Sequence, residues 1–377
     1  MTPDSLRWRD YFLRGGEHFD EFWKPFLSER KRNLLFVLGH GFDTRMCDGI
    51  ERVMALGGEG TRDVALISFD EGPESPSNSY APQRKANGAR LEKLVQGRGH
   101  IGHRTITMFS DERRRIGARS IAQEFQSPAE FRSYTDVVVD ISALPRGLYL
   151  PLLVKFLNLF DAESIGGEKR NLHVIVSHSP STDGAIIEEG LDESASYLYG
   201  FAAAALESDS TSDQPMIWIP VLGKRQKLQL EKIHSLVSPD EICPLLPSPS
   251  QDPREGDALV IEYRDLLFDQ LRVEPRNIIY AAESNPFEVY RQLMRSIRHY
   301  QRALNPLGGC KVALSAMSSK LASIGVLLAA YELGRRDPKV TVGVAHVESQ
   351  GYRVVPASTA QLTTMFTMWL SGECYAT

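Results

Sequence analysis

Short, mainly apolar runs without polar alternation, separated by segments of helical length, are the feature that most constrains the fold of this chain. The runs lie at 34–38, 64–69, 137–141, 172–176, 216–221, 277–281, 311–314 and 340–347. A strand covered on both faces of a parallel sheet has no face turned to water, so it carries such a run instead of an alternating pattern. Because these strands alternate with helices, the sequence predicts an α/β fold of two Rossmann-like, doubly wound domains with mainly parallel sheets.

The domain organisation follows from length and local composition. A chain of 377 residues is natural for two domains. Residues 207–215 are acidic and rich in Ser and Thr, and we predict that they link a first domain at 31–206 to a second at 216–377. The aromatic spacing within 1–30 predicts a helical lead-in. We expect one residue of each main strand to be buried: Val37, Ile67, Val138, Val174, Ile219, Ile279, Leu314 and Val342.

Charge and cysteine usage narrow the class of protein. A net charge of -5 argues against a general nucleic-acid coat or a basic membrane-surface protein. The four cysteines are far apart and form no CxxC pair, which excludes the usual zinc spacing and a disulfide framework. No run of about 18 apolar residues is present, and the first residues lack the apolar region of a secretory signal. We therefore expect a soluble, cytoplasmic protein that does not contact membranes, and the sequence assigns no residues to a metal site.

Polar loops at strand ends are where an open α/β sheet binds its ligands, and the first of them is GHGFDTRM. Its glycines allow a tight turn and close backbone approach, its acid can cap the next helix, and two more acids end the following strand. The residues concerned are Gly39, Gly41, Asp43, Arg45, Asp70 and Glu71. Residues 34–71 resemble class I S-adenosylmethionine-dependent methyltransferases, and G-x-G-x-D-T-R is closest to the leucine carboxyl methyltransferase group.

That resemblance implies that the glycine loop faces the methionine part of the cofactor and that the acid ending the second strand holds the ribose hydroxyls. The chain lacks a catalytic tetrad such as NPPY and the third glycine of a full GxGxxG. The alternative is a tight strand-to-helix turn with a helix cap.

A second polar loop, DISALPR, follows the strand that we expect to lie centrally in the first sheet. Asp140 and Ser142 would face the same crevice as Asp43 and Asp70, and Arg146 could neutralise an anion. Carboxylates converging there could serve a ribose, a metal or acid–base chemistry. The alternative is a turn induced by proline, with a serine capping the next helix.

The sharpest candidate site is the segment SAMSSK at 315–320, which joins a buried strand to a long apolar helix. Hydroxyls, the free N–H groups of the first helical turn and a lysine converge there, as at helix N-termini that bind phosphate. The candidate residues are Ser315, Ser318, Ser319 and Lys320. The segment resembles the strand–loop–helix of CARF-type and SAVED-type domains, although Met-Ser-Ser replaces the usual Gly-Gly-Thr. That resemblance implies a cyclic oligonucleotide ligand in prokaryotic antiviral signalling. The alternative is serine capping of a core helix.

Two further polar strand ends complete the candidates. Glu283 and Asn285 end a strand that would neighbour the 315–320 loop, where Glu283 could bind a ribose or pair with Lys320. His178 also ends a strand and is a candidate general base, although a lone histidine is more often structural.

Two classes of function are compatible with these residues. The first is a sensor or effector component of a prokaryotic defence system, whose second domain binds a nucleotide-type small molecule or an oligonucleotide and which could act with a protein partner. The second is a methyltransferase-like enzyme that uses the first domain. A purely structural subunit fits four polar strand-end loops less well. The sequence identifies no catalytic residue and no cofactor.

Overall fold

The structure, a computed structural model, describes residues 6–112, 114–163, 169–201, 206, 213–336, 340–355 and 363–375. The chain forms two compact units. The first contains Met1–Glu189 together with Gln350–Thr377, and the second contains Gly190–Ser349. Strands β7 (Ile186–Leu191) and β15 (Ser349–Val354), along which the chain leaves and re-enters the first unit, pair with each other.

The first unit is built on a seven-stranded sheet. Its strands are β1 (Phe12–Gly15), β2 (Leu34–Gly39), β3 (Arg62–Asp70), β4 (Ile101–Thr107), β5 (Asp136–Asp140), β6 (Asn171–His178) and β16 (Thr364–Ser371). Its helices are α1 (Glu17–Glu29), α2 (Asp48–Ala55), α3 (Ala81–Val95), α4 (Gly117–Glu124), α5 (Arg146–Glu163) and α6 (Pro180–Ala185).

The strand order in this sheet is β1-β16-β6-β5-β2-β3-β4. Strands β2 to β6 pair in parallel, whereas β16 is antiparallel to both of its neighbours. Numbered along the chain, the five parallel strands stand in the order 3-2-1-4-5 of a Rossmann sheet.

The second unit is also built on a mostly parallel sheet. Its strands are β8 (Ser196–Tyr197), β9 (Met216–Val221), β10 (Glu241–Ile242), β11 (Leu245–Pro247), β12 (Ile279–Ala281), β13 (Lys311–Ala316) and β14 (Thr341–His346). Its helices are α7 (Lys227–Val237), α8 (Glu255–Glu262), α9 (Pro286–Ala303) and α10 (Lys320–Arg336).

The order in the second sheet is β12-β11-β9-β13-β14-β8, and β10 also pairs with β9. Its five main strands are parallel and again stand in the order 3-2-1-4-5, with an antiparallel strand beside the fifth. The predicted α/β class with two mostly parallel, Rossmann-like sheets is therefore confirmed. The two units share a topology that residue identity does not reveal.

The buried cores explain why the strand-forming runs are mainly apolar and do not alternate with polar residues. In the first unit, α1 and α2 cover one face of the sheet, with Trp23 and Ile50 packed in a cluster that includes Val138. In the second unit, Trp218 and Ala313 lie in a cluster with Leu230 of α7. Seven of the eight strand residues expected to be buried are so, and Ile279 is only partly buried because β12 lies at the sheet edge.

The boundaries between the units differ from those inferred from the sequence. The chain passes between units at 189/190 and 349/350, and residues 207–212 of the predicted linker lie outside the described residues. Residues 364–371 do not belong with 216–349, because β16 pairs with β6 of the first sheet. The lead-in is helical only from Glu17, since Phe12–Gly15 is a strand paired with β16. Both differences arise from pairing between distant segments, which local patterns do not encode.

No helix in the described part of the chain is long and apolar enough to cross a membrane.

Candidate functional site

Both units have a topological switch point between their first and fourth parallel strands. In the first unit it lies between β2 and β5, and in the second between β9 and β13. The loops that follow these two strands run to opposite sides of the sheet, which opens the crevice in which such folds bind ligands. The loops at these two switch points therefore define the candidate sites.

In the first unit the glycine loop packs against protein. A Cβ on Gly41 would lie 3.0 Å from the carbonyl oxygen of Ala143, and a Cβ on Gly39 would lie 2.6 Å from the Leu144 side chain. Both glycines thus make room for the loop that follows β5. The geometry accounts for these glycines by backbone packing.

Next to this loop lies an ion-pair cluster centred on the buried side chain of Arg45. Its guanidinium lies 2.6 Å from Asp43 and 2.8 Å from Asp183, and it donates a hydrogen bond to the carbonyl oxygen of Ser177. Burial alone lowers the pKa of Arg45, but the hydrogen bonds and charges of the two carboxylates outweigh it and raise the pKa overall. His178 Nδ1 lies 3.5 Å from the Asp183 carboxylate. The predicted residues Asp43 and Arg45 therefore belong to one network, and the sequence reasoning did not identify Asp183 as its member.

The DISALPR loop is also engaged with protein. The Asp140 carboxylate accepts a hydrogen bond from the Ser142 N–H at 2.9 Å, and Ser142 Oγ accepts one from the Ser177 N–H at 2.9 Å. Both side chains are buried. Arg146 begins α5 and lies 3.8 Å from Glu188. Burial lowers the pKa of Arg146, but neighbouring groups, Glu188 among them, raise it overall.

The two acids at the carboxyl end of β3 have different surroundings. Asp70 is exposed and its carboxylate accepts a hydrogen bond from the Gly72 N–H at 2.9 Å. Glu71 accepts one from Ser75 Oγ at 2.8 Å, and burial raises its pKa although Ser77 and Ser75 stabilise the ionised form. Of these two acids, only Asp70 is exposed to solvent, as an acid that binds the ribose hydroxyls of a cofactor would be.

In the second unit the four residues of the SAMSSK segment divide into two groups. Ser315 is completely buried, and its Oγ accepts a hydrogen bond from Trp218 Nε1 at 2.9 Å. Ser318, Ser319 and Lys320 are partly exposed at the start of α10. Ser319 Oγ accepts a hydrogen bond from the Ala322 N–H at 3.2 Å, as a helix cap does. The structure thus places Ser315 in the core of the second unit. Ser318, Ser319 and Lys320 lie beyond the carboxyl end of β13, where α10 begins.

A second loop of this switch point, residues 222–226, completes the site and was missed in the sequence reasoning. A side chain at Gly223 would overlap the Met317 carbonyl oxygen, so this loop touches the one that leads into α10. Lys224 and Arg225 are exposed. Three cations therefore come from two touching loops, together with two hydroxyls and the N-terminus of a helix. The available signal was Gly-Lys-Arg at 223–225, one residue beyond the apolar run 216–221.

The remaining candidates lie at the end of β12. The Glu283 carboxylate accepts a hydrogen bond from the Gln251 N–H at 3.0 Å. Asn285 caps α9 by accepting from the N–H groups of Phe287 and Glu288 at 3.1 and 3.2 Å. Among the residues that the structure describes, no three His, Cys, Asp or Glu side chains are grouped so as to hold a metal ion.

Comparisons with known proteins give structural similarities alone. No protein family and no curated protein matches the sequence. A Type III CRISPR defence DNA nuclease activated by cyclic oligoadenylate is similar with a TM-score of 0.46 and 12% identity over 78% of this chain. This chain spans 63% of the length of that nuclease. A functionally unknown protein from Pseudomonas aeruginosa is similar with a TM-score of 0.21 and 11% identity, over 82% of this chain and 91% of its own. Both TM-scores are below 0.5, so neither similarity bears on function.

Proposed function

We propose that the second unit binds a nucleotide-type anionic ligand at the carboxyl edge of its sheet. The observation that carries the proposal is the contact between loop 222–226 and the loop that leads into α10. This contact brings Lys224, Arg225 and Lys320 to one switch point, beside the hydroxyls of Ser318 and Ser319. We call these five residues the cation cluster.

The position of Lys320 supports an anionic ligand. It is the first residue of a 17-residue helix, where the positive end of the helix dipole disfavours a cation by about 0.3–1 kcal/mol when the residue is exposed. A bound phosphate reverses the sign of that interaction and accepts charge-assisted hydrogen bonds from the lysine and from N–H groups of the first turn.

The comparison between the two units supports a binding role for the second. At the equivalent switch point of the first unit the two loops also touch, but the Arg45 guanidinium there is buried beside Asp43 and Asp183. In the second unit, Lys224 and Arg225 are exposed, and Lys224 pairs with Glu255 at the surface. An adenosine-binding crevice of the methyltransferase type in the first unit is correspondingly less favoured.

The resemblance of SAMSSK to CARF-type and SAVED-type loops narrows the ligand to the nucleotide class, with cyclic oligonucleotides as its leading members. In this proposal the protein is a sensor or effector component of a prokaryotic defence system. A protein partner would, in this proposal, bind the liganded state in preference to the empty one.

Titration calorimetry with cyclic and linear oligonucleotides and mononucleotides tests the proposal. Lys320→Ala should weaken binding by about 10- to 150-fold, since hydrogen bonds to charged groups contribute about 1.5–3 kcal/mol. Lys311→Ala is the matched control, because Lys311 starts β13 at the opposite edge of the same sheet. If nothing in the panel binds, or if Lys320→Ala binds like wild type, the proposal is wrong. Binding of S-adenosylmethionine that is lost in Asp70→Ala would instead favour a methyltransferase-like first unit.

A further inference from the structure

Two carboxylates on α8 lie against the loop that supplies two of the five residues of the cation cluster. Glu255 Oε2 lies 2.5 Å from Lys224 Nζ. At the next residue, the backbone N–H of Arg225 donates a hydrogen bond to Glu262 Oε1 at 2.6 Å. Each carboxylate thus takes a donor that a phosphate oxygen at this switch point would also use.

The loop is held in one conformation by a buried tyrosine next to these acids. Tyr263 Oη donates to the carbonyl oxygen of Gly223 at 2.6 Å and accepts from the N–H of Gln226 at 2.8 Å. Between them, Arg225 has a φ of 59°, in the left-handed region that non-glycine residues rarely occupy. Successive N–H groups in such a turn point to one side and form a concavity for anions. In this structure the Glu262 carboxylate lies on that side of the loop and accepts the hydrogen bond from the Arg225 N–H.

We propose that Glu255 and Glu262 are specificity-determining residues that act as internal competitors for the anion. This inference rests on the proposed function of the same site. To bind, a ligand has to displace the carboxylates from Lys224 and Arg225, and it meets their negative charge if they stay near. A lone phosphate gains too little to do so. A ligand with two or more phosphates can engage Lys320 and Ser318 with one group while another displaces the carboxylates.

The test compares inorganic phosphate with tripolyphosphate as probes, using the full chain and calorimetry. In wild type, tripolyphosphate should bind and inorganic phosphate should bind far more weakly. In Glu255→Gln/Glu262→Gln, the affinity for inorganic phosphate should rise by about tenfold or more, because each charge is lost while an acceptor oxygen is kept. Glu274→Gln is the matched control: it removes one charge beside Arg276, before β12 at the opposite edge of the sheet.

Lys224→Ala in the double-variant background should reverse the gain, which ties the effect to the cation cluster. Amide hydrogen exchange over 222–226 reports whether the loop keeps its conformation. If the double variant binds phosphate no better than wild type while tripolyphosphate still binds, the inference is wrong and the proposed function stands. The inference also fails if the loop loses protection in the double variant, because the acids then serve only to hold it. If no anion binds wild type or any variant, the proposed function itself fails.

Discussion

Replacing Ser315 by alanine separates a core residue from a ligand contact. Ser315 and Trp218 are both completely buried, and the serine Oγ is the acceptor of the indole N–H at 2.9 Å. Indole nitrogen can only donate, so Ser315→Ala leaves a buried donor without its acceptor. The cost of such an orphaned group is about 1–3 kcal/mol. We expect the second unit to lose that much stability without any change in anion affinity.

Amide hydrogen exchange of β13 is the suitable assay, since it reports the opening of the second unit by itself. A loss of about 1–3 kcal/mol accelerates exchange by about 5- to 150-fold. Ser323→Ala is the control: Ser323 is equally buried, but its hydroxyl donates to the Ser319 carbonyl oxygen, which already accepts from the Ser323 N–H. This variant should change exchange far less.

A double variant tests the mechanism further. In Trp218→Phe/Ser315→Ala neither polar partner remains, so the combined loss should be smaller than the sum of the two single losses. Unchanged exchange in Ser315→Ala together with weaker anion binding would refute this reasoning and return Ser315 to the ligand site.

Two further predictions concern the first unit. Gly41→Val should lower the stability of this unit by about 1–3 kcal/mol in urea denaturation, because any Cβ at this position meets Ala143. Gly184→Val is the control and should not lower it, since a Cβ at Gly184 meets no other atom of the described residues. Equal stability of the two variants would show that the two loops do not touch. Burial raises the pKa of Asp136, but hydrogen bonds from His173 and Thr135 together with the charges of His173 and Arg32 outweigh this and lower the pKa overall. The stability that the ionised Asp136 carboxylate contributes is complete above the unfolded pKa of about 3.9 and is lost as pH falls through the lower folded pKa. Asp136→Asn should therefore flatten the acid end of a plot of stability against pH. An acid limb identical to that of wild type would contradict it.

Some features of the candidate sites can be predicted from the sequence alone and others cannot. The SAMSSK loop was identified because a buried strand, hydroxyls and a helix start are contiguous in the chain. The assignment of Ser315 to that site depends on a partner 97 residues away, Trp218, which only the folded sheet brings beside it. In the same way, Asp183 reaches Arg45 because β6 ends near the loop after β2. Lys224 and Arg225 gain their significance from the Gly223 approach to Met317, which no local pattern encodes.

By itself, the sequence determined the α/β class and the positions of most strands and of their polar ends. It did so because burial on both faces of a strand favours a mainly apolar run without alternation, which is a local property of composition. The tertiary structure decided that β16 completes the first sheet, that both sheets share the order 3-2-1-4-5, and which loops meet at each switch point. Strand order and loop contacts are set by packing between residues far apart in the chain, so they emerge only when the whole core is assembled.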